Sequence, residues 1–481
     1  MKKTRLLFFA LILSVRTYSQ TCDCDKEFQF IKNYIEINYV GFKDKVTPST
    51  KMEYDILVNK LQDLTKSANS SNYCLYIIKK YLLYFKDQHI QISSKEKQIS
   101  QKDTAALRGL FNNTENIILT KETINALKNK PLSEIEGIYS STSKTYKIAI
   151  TKNANPFRDY AGVIINSRNG FWKPNQVKIE LKHIEGDKYE GIVYDKFHNS
   201  KINTYTITNG VFTPDEYLKE GAKSSSNSKD DYEPYKKAEF SNTMAFLKQV
   251  NDSTLYLRIK SFDGQFAKQI ETVIKDDEVL LKSKPYLILD LRYNGGGSDN
   301  AYSSLLPFIY TNPVKGIGVD VFSTPANIIA WQKMITEYDE YFSVDDKKEL
   351  NDLVKRMQEN PFKLISSADD GIDTLSSVYT YPKKVAVIIN EGCGSTTEQF
   401  LLDAKQSNKV ILIGKATAGV LDYSNVRQVD FSCMNFVLGY PTTRSRRIPD
   451  NAIDNIGIKP NISMTFDKGW LEKVVGIMTT N

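Results

Sequence analysis

The 481-residue chain is 41% hydrophobic and 25% charged, enough apolar content to bury a large core over two or three domains, which excludes a disordered protein. Its formal charge of +7 falls to +3 once Lys2, Lys3, Arg5 and Arg16 of the first 20 residues are set aside, and no block of like charge replaces them. A nucleic-acid partner therefore has no electrostatic support.

Residues 1–20 have a basic start, an apolar run from Leu6 to Val15 and a short polar tail, the pattern of a secretory signal cut near Gln20. The run is much shorter than the ~20 residues a membrane span needs, and no later stretch is apolar enough to cross. Five cysteines follow: Cys22, Cys24, Cys74, Cys393 and Cys433. In an oxidising compartment Cys22 or Cys24 can bridge to Cys74, which leaves an odd thiol.

Residues 21–130 form a predicted N-terminal helical region. Phe28, Ile31 and Ile35, then Tyr54, Leu57, Leu61 and Leu64, then Leu75, Ile78, Leu82 and Phe85 each mark one face of a helix. At Asp87-Gln88-His89-Ile90-Gln91-Ile92 the period turns from helical to alternating, so His89 lies at a helix-to-strand junction. From position alone, a lone histidine is more often structural or solvated than catalytic. Thr104 to Lys130 reads as a further polar helix.

Residues 131–215 change to short alternating strands between Asn-Pro, Asn-Gly and Glu-Gly-Asp turns, which predicts an antiparallel meander or small barrel. His183 and His198 fall in it without a second ligand at metal spacing and read as surface residues; Trp172 reads as core. Residues 216–240, with Gly-Ala-Lys-Ser-Ser-Ser-Asn-Ser-Lys-Asp-Asp, have the composition of a linker or mobile loop.

Residues 241–470 alternate strands and helices. Tyr286 to Leu291 is a buried strand, and Arg292-Tyr293-Asn294-Gly295-Gly296-Gly297 follows it. Three glycines let bare amides approach a ligand, at a spacing that is neither a Walker loop nor a dinucleotide fingerprint. Pro313 to Thr380 is an irregular insertion with one or two helices, a candidate lid or rim. Val385 to Asn390 is a second buried strand, the turn Glu391-Gly392-Cys393-Gly394 ends it, and Ser395-Thr396-Thr397-Glu398 has the signature of a helix start. Ser395 is either an N-cap or a nucleophile on a strand-to-helix elbow, beside unpaired amides suited to an oxyanion. Cys393 is a rival nucleophile, but no basic neighbour in sequence lowers its pKa, so it reads as packing.

Asp290-Leu291-Arg292-Tyr293-Asn294-Gly295-Gly296-Gly297, Ser395-Thr396-Thr397-Glu398 and Gly457-Ile458-Lys459-Pro460-Asn461 together resemble the tail-specific, or C-terminal processing, serine proteases, including the core of tricorn protease. The resemblance spans Thr254 to Ser463. It implies a crotonase/Clp-like ββα protease domain within a multidomain α+β chain, with Ser395 as nucleophile and the amides of Gly295 or Gly296 and of Thr396 as oxyanion hole. The lysine of the serine-lysine branch falls at Val420 by ungapped count, where no proton can be accepted, and Lys415 is out of register. Asp87-Gln88-His89 instead resembles the Asp-x-His segment of the tricorn-like branch, making His89 the general acid and base, with Asp454 at the place of its acidic partner. Glu398, Asp450 and Asp422 are alternatives to Asp454. No peptide-binding PDZ domain is recognisable.

The resulting expectation is an exported serine endopeptidase, periplasmic or extracellular, acting on peptide or protein substrates through an acyl-enzyme. It uses no metal and no cofactor, binds no nucleic acid and keeps no integral membrane span after signal cleavage. The alternative is a catalytically inactive peptide- or ligand-binding protein on the same fold.

Overall fold

The computed structural model describes residues 22–95, 100, 102–214, 217–223, 232, 234–235 and 243–480. The expected signal segment, 1–20, and most of the expected linker, 216–240, lie outside the described residues.

Three helices open the chain: α1 (Cys24–Asn38), α2 (Lys51–Thr65) and α3 (Ser71–Leu83). Their periodic faces are buried, with Phe28, Ile31, Ile35 and Ile78 fully enclosed. Asp23 caps α1 by accepting from the Asp25 and Lys26 amides, and Ser70 caps α3 by accepting from the Tyr73 amide. Cys24 pairs with Cys74, joining α1 to α3. A second disulfide, not expected from the sequence, links Cys22 to Cys433 and leaves Cys393 as the free thiol. After α3 the left-handed Lys86 reverses the chain, and it enters β1 (Gln91–Ser94).

The polar stretch expected as one helix from Thr104 to Lys130 is two, Thr104–Asn112 and Lys121–Lys128. Between them the chain leaves the helix to pair with a barrel edge, the Ile117 amide donating to the Asn175 carbonyl and Asn116 bridging to Gln176. Residues 137–219 form eight antiparallel strands closed into a barrel, the closed form of the two expected alternatives. Trp172 is buried, as expected, but so is His198, which was read as a surface residue. His198 stacks on Trp172 with ring centroids 3.7 Å apart, and burial holds its pKa down to about 4.

The remaining described residues build two larger sheets and a two-stranded one that pairs Val314–Gly316 with Gly371–Asp373. In the first, β2 (Ala245–Gln249) and β3 (Thr254–Ile259) form an antiparallel pair, and α4 (Ala267–Asp276) crosses over to β4 (Tyr286–Asp290), parallel to β3. The insertion expected as irregular with one or two helices carries two helices and also strands. It contributes β5 (Val319–Phe322), α5 (Pro325–Glu337), α6 (Val344–Glu359) and β6 (Leu364–Ala368). Next come β7 (Lys384–Ile389), α7 (Thr396–Ala404) and β8 (Val410–Gly414), a parallel unit in which Asp290 pairs with Ile388 and Ile389 with Gly414. The chain ends with β9 (Tyr423–Asp430), β10 (Phe436–Ser445), β11 (Ile462–Ser463) and α8 (Trp470–Thr479).

The strand period decides the packing of the first sheet. Val385, Val387 and Ile389 face α4 and α7, whereas Ala386 and Ile388 face Trp470 and Val474 of α8. Val385 to Ile389 are all fully buried, as a parallel sheet covered on both faces requires, and each larger side chain contributes roughly 1.5–3 kcal/mol. The second sheet runs β1–β10–β5–β6, with β9 also paired to β10. β1 is the N-terminal region's contribution: Gln91 to Ser94 pair with Gly439 to Phe436. The helical region, the barrel and the β9–β10 hairpin share one continuous apolar core, which includes Phe28, Ile31, Ile179, Leu181, Leu438 and Tyr440.

Candidate active site

β7 ends at Asn390, whose side-chain Oδ1 accepts from the amides of Tyr293 and Gly392 at 2.8 and 3.1 Å. This ties the loop after β4 to the turn after β7. The Gly394 amide donates to the Asn294 carbonyl at 3.2 Å, a second tie between them. A Cβ on Gly296 would lie 2.7 Å from the Gly394 carbonyl and 2.8 Å from the Ser395 Cβ, so only glycine lets these loops touch. Beneath them Arg292 forks onto Asp290, and Tyr256 donates to the same carboxylate at 2.6 Å. The sequence placed Asp290 and Arg292 in the motif without a role; they anchor the glycine loop to the end of β4.

Ser395 has φ +54° and ψ −125°, a conformation that costs a non-glycine residue roughly 1–3 kcal/mol. Its backbone holds that shape: the amide donates to the Val420 carbonyl at 3.0 Å, and the carbonyl accepts from the Glu398 amide at 2.7 Å. Glu398 is fully buried and gathers the region, accepting from the amides of Ser395, Gly419 and Val420 and from the Thr417 hydroxyl at 2.5 Å. The Ser395 hydroxyl lies 3.1 Å from His89 Nε2.

His89 Nδ1 is 2.6 Å from the carbonyl oxygen of Tyr423, at the start of β9. A carbonyl only accepts, so Nδ1 carries the proton and Nε2 of the neutral ring presents its lone pair to Ser395. The His89 amide donates to Asp87 Oδ1 at 2.9 Å, and Tyr39 donates to the other oxygen at 2.7 Å. Burial lowers the His89 pKa below the ordinary value, opposed by the Tyr423 bond and by the charges of Asp454 and Glu398.

Asp454 lies near His89 but does not occupy the place expected of an orienting carboxylate, because the Tyr423 carbonyl is there instead. Its Oδ1 accepts from the amides of Leu421 and Asp422 at 2.7 and 2.8 Å. Asp422 returns the arrangement, accepting from the amides of Ile453 and Asp454, so the two aspartates brace the loop before β9 against residues 453–454. Burial pushes Asp454 up to about 6. Of the expected oxyanion donors, the Gly296 amide is engaged by Asn294 Oδ1 at 3.1 Å. Among the described residues the amides of Gly295 and Thr396 donate to no protein group.

Cys393 is fully buried with its thiol pushed up to about 12 by burial, which suits packing. Val420 is buried and Lys415 is exposed beside Glu391, so neither supplies a base to Ser395. Among the described residues Cys22, Glu27 and Cys433 are a group with metal-ligating chemistry, but the two sulfurs are joined in a disulfide and therefore spent. Ser395, His89, Gly295 and Thr396 line one cavity of about 670 Å³, together with Asp299, Asn425, Arg427 and Arg447. Among the described residues no helix is long and apolar enough to cross a membrane.

The family model described as "Peptidase family S41" matches residues 253–464. No curated protein matches the chain. Among solved structures, mature CPAF is 12% identical, over 95% of this chain and 96% of that one, with a TM-score of 0.50. Mature CPAF complexed with lactacystin aligns at 12% identity over 95% and 97%, also with a TM-score of 0.50. The photosystem II D1 C-terminal processing protease is 12% identical over 96% and 98%, with a TM-score of 0.37. At such identities the CPAF likeness is one of fold, and it extends over the helical region and the barrel as well as the matched segment. Residues 253–464 thus match the peptidase family S41 model, and the chain is a serine-type peptidase.

Proposed function

We propose that this protein is an exported endopeptidase of the Ser-His type, with Ser395 as nucleophile and His89 as general acid and base. The observation that carries the reading is the 3.1 Å approach of His89 Nε2 to Ser395 Oγ, with Nδ1 committed to the Tyr423 carbonyl. Ser395 Oγ attacks the scissile carbonyl as its proton passes to Nε2, and the amides of Gly295 and Thr396 receive the oxyanion. The imidazolium then protonates the leaving amine. Water, deprotonated by the same nitrogen, releases the acyl group from Ser395. The Tyr423 carbonyl fixes the tautomer, a role more often given to a carboxylate. Asp454 acts through its field and by bracing the loop that presents Tyr423.

The parallel order β3–β4–β7–β8, with α4 and α7 as crossovers, supports a crotonase-like core. Export is supported by the two disulfides, which persist in oxidising compartments. A fluorophosphonate probe tests the site: one adduct is expected, on Ser395, and Ser395→Ala should lower peptidase activity by at least about a thousandfold. An unlabelled wild type, or an undiminished variant, would refute the reading. Mass spectrometry of the protein purified from its host tests export by whether the N-terminus begins near Thr21.

A further inference from the structure

The cavity that holds Ser395 and His89 is also lined by Arg427, which no carboxylate among the described residues answers, and by Arg447, which is paired with Asp422. Arg427 projects from β9, where its backbone pairs with Tyr440, and its guanidinium lies 4.3 Å over the Trp331 ring of α5. Its Nε is enclosed without a partner, and its Nη1 reaches only the carbonyl of the preceding Val426. Among the described residues no carboxylate lies within 4.0 Å of it. Arg447 is buried with an orphaned Nε, and its Nη2 donates to Asp422 Oδ1 at 3.4 Å, a long ion pair with a carboxylate whose other oxygen accepts two amides. The neighbouring Arg444 and Arg446 differ: each forks onto an aspartate at 2.7 Å.

Enclosing a guanidinium without a counter-ion is costly, and burial lowers the Arg427 pKa to about 10. Packing on Trp331 accounts for one face of the group, not for its remaining donors on the lining of the cavity. Asp299, the carboxylate on the same lining, forms no ion pair with Arg427.

Resting on the peptidase reading above, we propose that Arg427, backed by Arg447, is the receptor for a carboxylate on the substrate, so that the enzyme selects peptides carrying one within a few residues of the scissile bond. Arginine suits this role because its planar fork meets a carboxylate through two parallel hydrogen bonds. The partner carboxylate is either an acidic side chain or the free C-terminus, and both present the same two oxygens.

The test is binding to the full-length Ser395→Ala protein, read by fluorescence anisotropy, which does not depend on turnover. Three peptides of one neutral sequence are compared: one with an internal glutamate and an amidated C-terminus, one with glutamine in its place, and one with glutamine and a free C-terminal carboxylate. At least one carboxylate peptide should bind about tenfold more tightly than the neutral one, and which does so identifies the source. The preference should shrink with added salt, collapse toward unity in Arg427→Gln and partly return in Arg427→Lys. Equal affinities for all three peptides, measured on the protein with Arg427 intact, overturn the proposal even if the variants do not fold. An unchanged preference in folded Arg427→Gln also overturns it. Failure of the peptidase reading shows separately, as carboxylate-selective binding without cleavage or probe labelling when Ser395 is present.

Discussion

Ser395 and His89 are 306 residues apart in the chain, yet their reacting atoms are at hydrogen-bond distance. The neutral tautomer, fixed by Tyr423, and the depressed His89 pKa keep the base unprotonated at neutral pH. The proposed mechanism needs the neutral ring, so the acid limb of the kcat/KM profile should lie below 6.5, the ordinary histidine value. The charge of Asp454 raises the His89 pKa, so Asp454→Asn should move that limb to still lower pH. The same variant should cost less than about tenfold in kcat/KM, because Asp454 touches backbone amides and not the imidazole. A loss near the ~10⁴-fold seen when a directly bonded triad carboxylate is removed would restore Asp454 to the orienting role.

At the scale of elements, the site depends on two loops held in contact: the glycine loop after β4 and the elbow between β7 and α7. Gly296 has φ +102° and no room for a Cβ beside the Gly394 carbonyl and the Ser395 Cβ. Gly296→Ala should therefore push the elbow away from His89 and lower the rate of probe labelling at Ser395 by at least about a hundredfold, as misplacement of roughly 1 Å does. Circular dichroism should show the fold retained, because the clash is confined to the contact between two loops outside the sheets. Labelling at the wild-type rate would mean that the elbow tolerates the separation.

At the scale of the molecule, His89 reaches Ser395 because β1 is stitched into the sheet of β10, and Cys22–Cys433 ties the N-terminus to the same hairpin. Glu27 adds to that tie by accepting from the amides of Ser432 and Cys433 at 2.8 and 2.7 Å. Cys433→Ser should lower stability by about 2–4 kcal/mol, since a long loop is no longer closed in the unfolded chain. Denaturant melts of the oxidised protein measure this loss. An unchanged midpoint would show that β1 pairing and the shared core alone hold the N-terminal region in place.

Much of this was legible in the chain. The helical faces around Phe28, Tyr54 and Ile78, the buried strand Val385 to Ile389 and the glycine loop all carry local signals, because period and backbone freedom are properties of neighbouring residues. The elbow marks Ser395 in this way, whereas position alone leaves His89 structural or solvated, and only the resemblance of Asp87-Gln88-His89 to the tricorn-like Asp-x-His segment makes it a candidate base. The break between residues 112 and 121 was not legible, because it depends on a barrel edge that exists only once the barrel has closed. The burial of His198 depends on the same barrel.

Sequence by itself determined the elements, the motif residues and the candidate nucleophile and base. Tertiary structure decided what meets what: that a backbone carbonyl, Tyr423, holds His89 where a carboxylate was expected, and that Gly296 spends its amide on Asn294. It also decided that Cys22 pairs with Cys433 and that Arg427, among the described residues, stands without a counter-ion in the cavity of Ser395 and His89. The physical reason is common to all four. A carbonyl carries no residue-specific signal, and a hydrogen bond, a disulfide or an unanswered charge is defined by distance in space, which linear spacing does not encode.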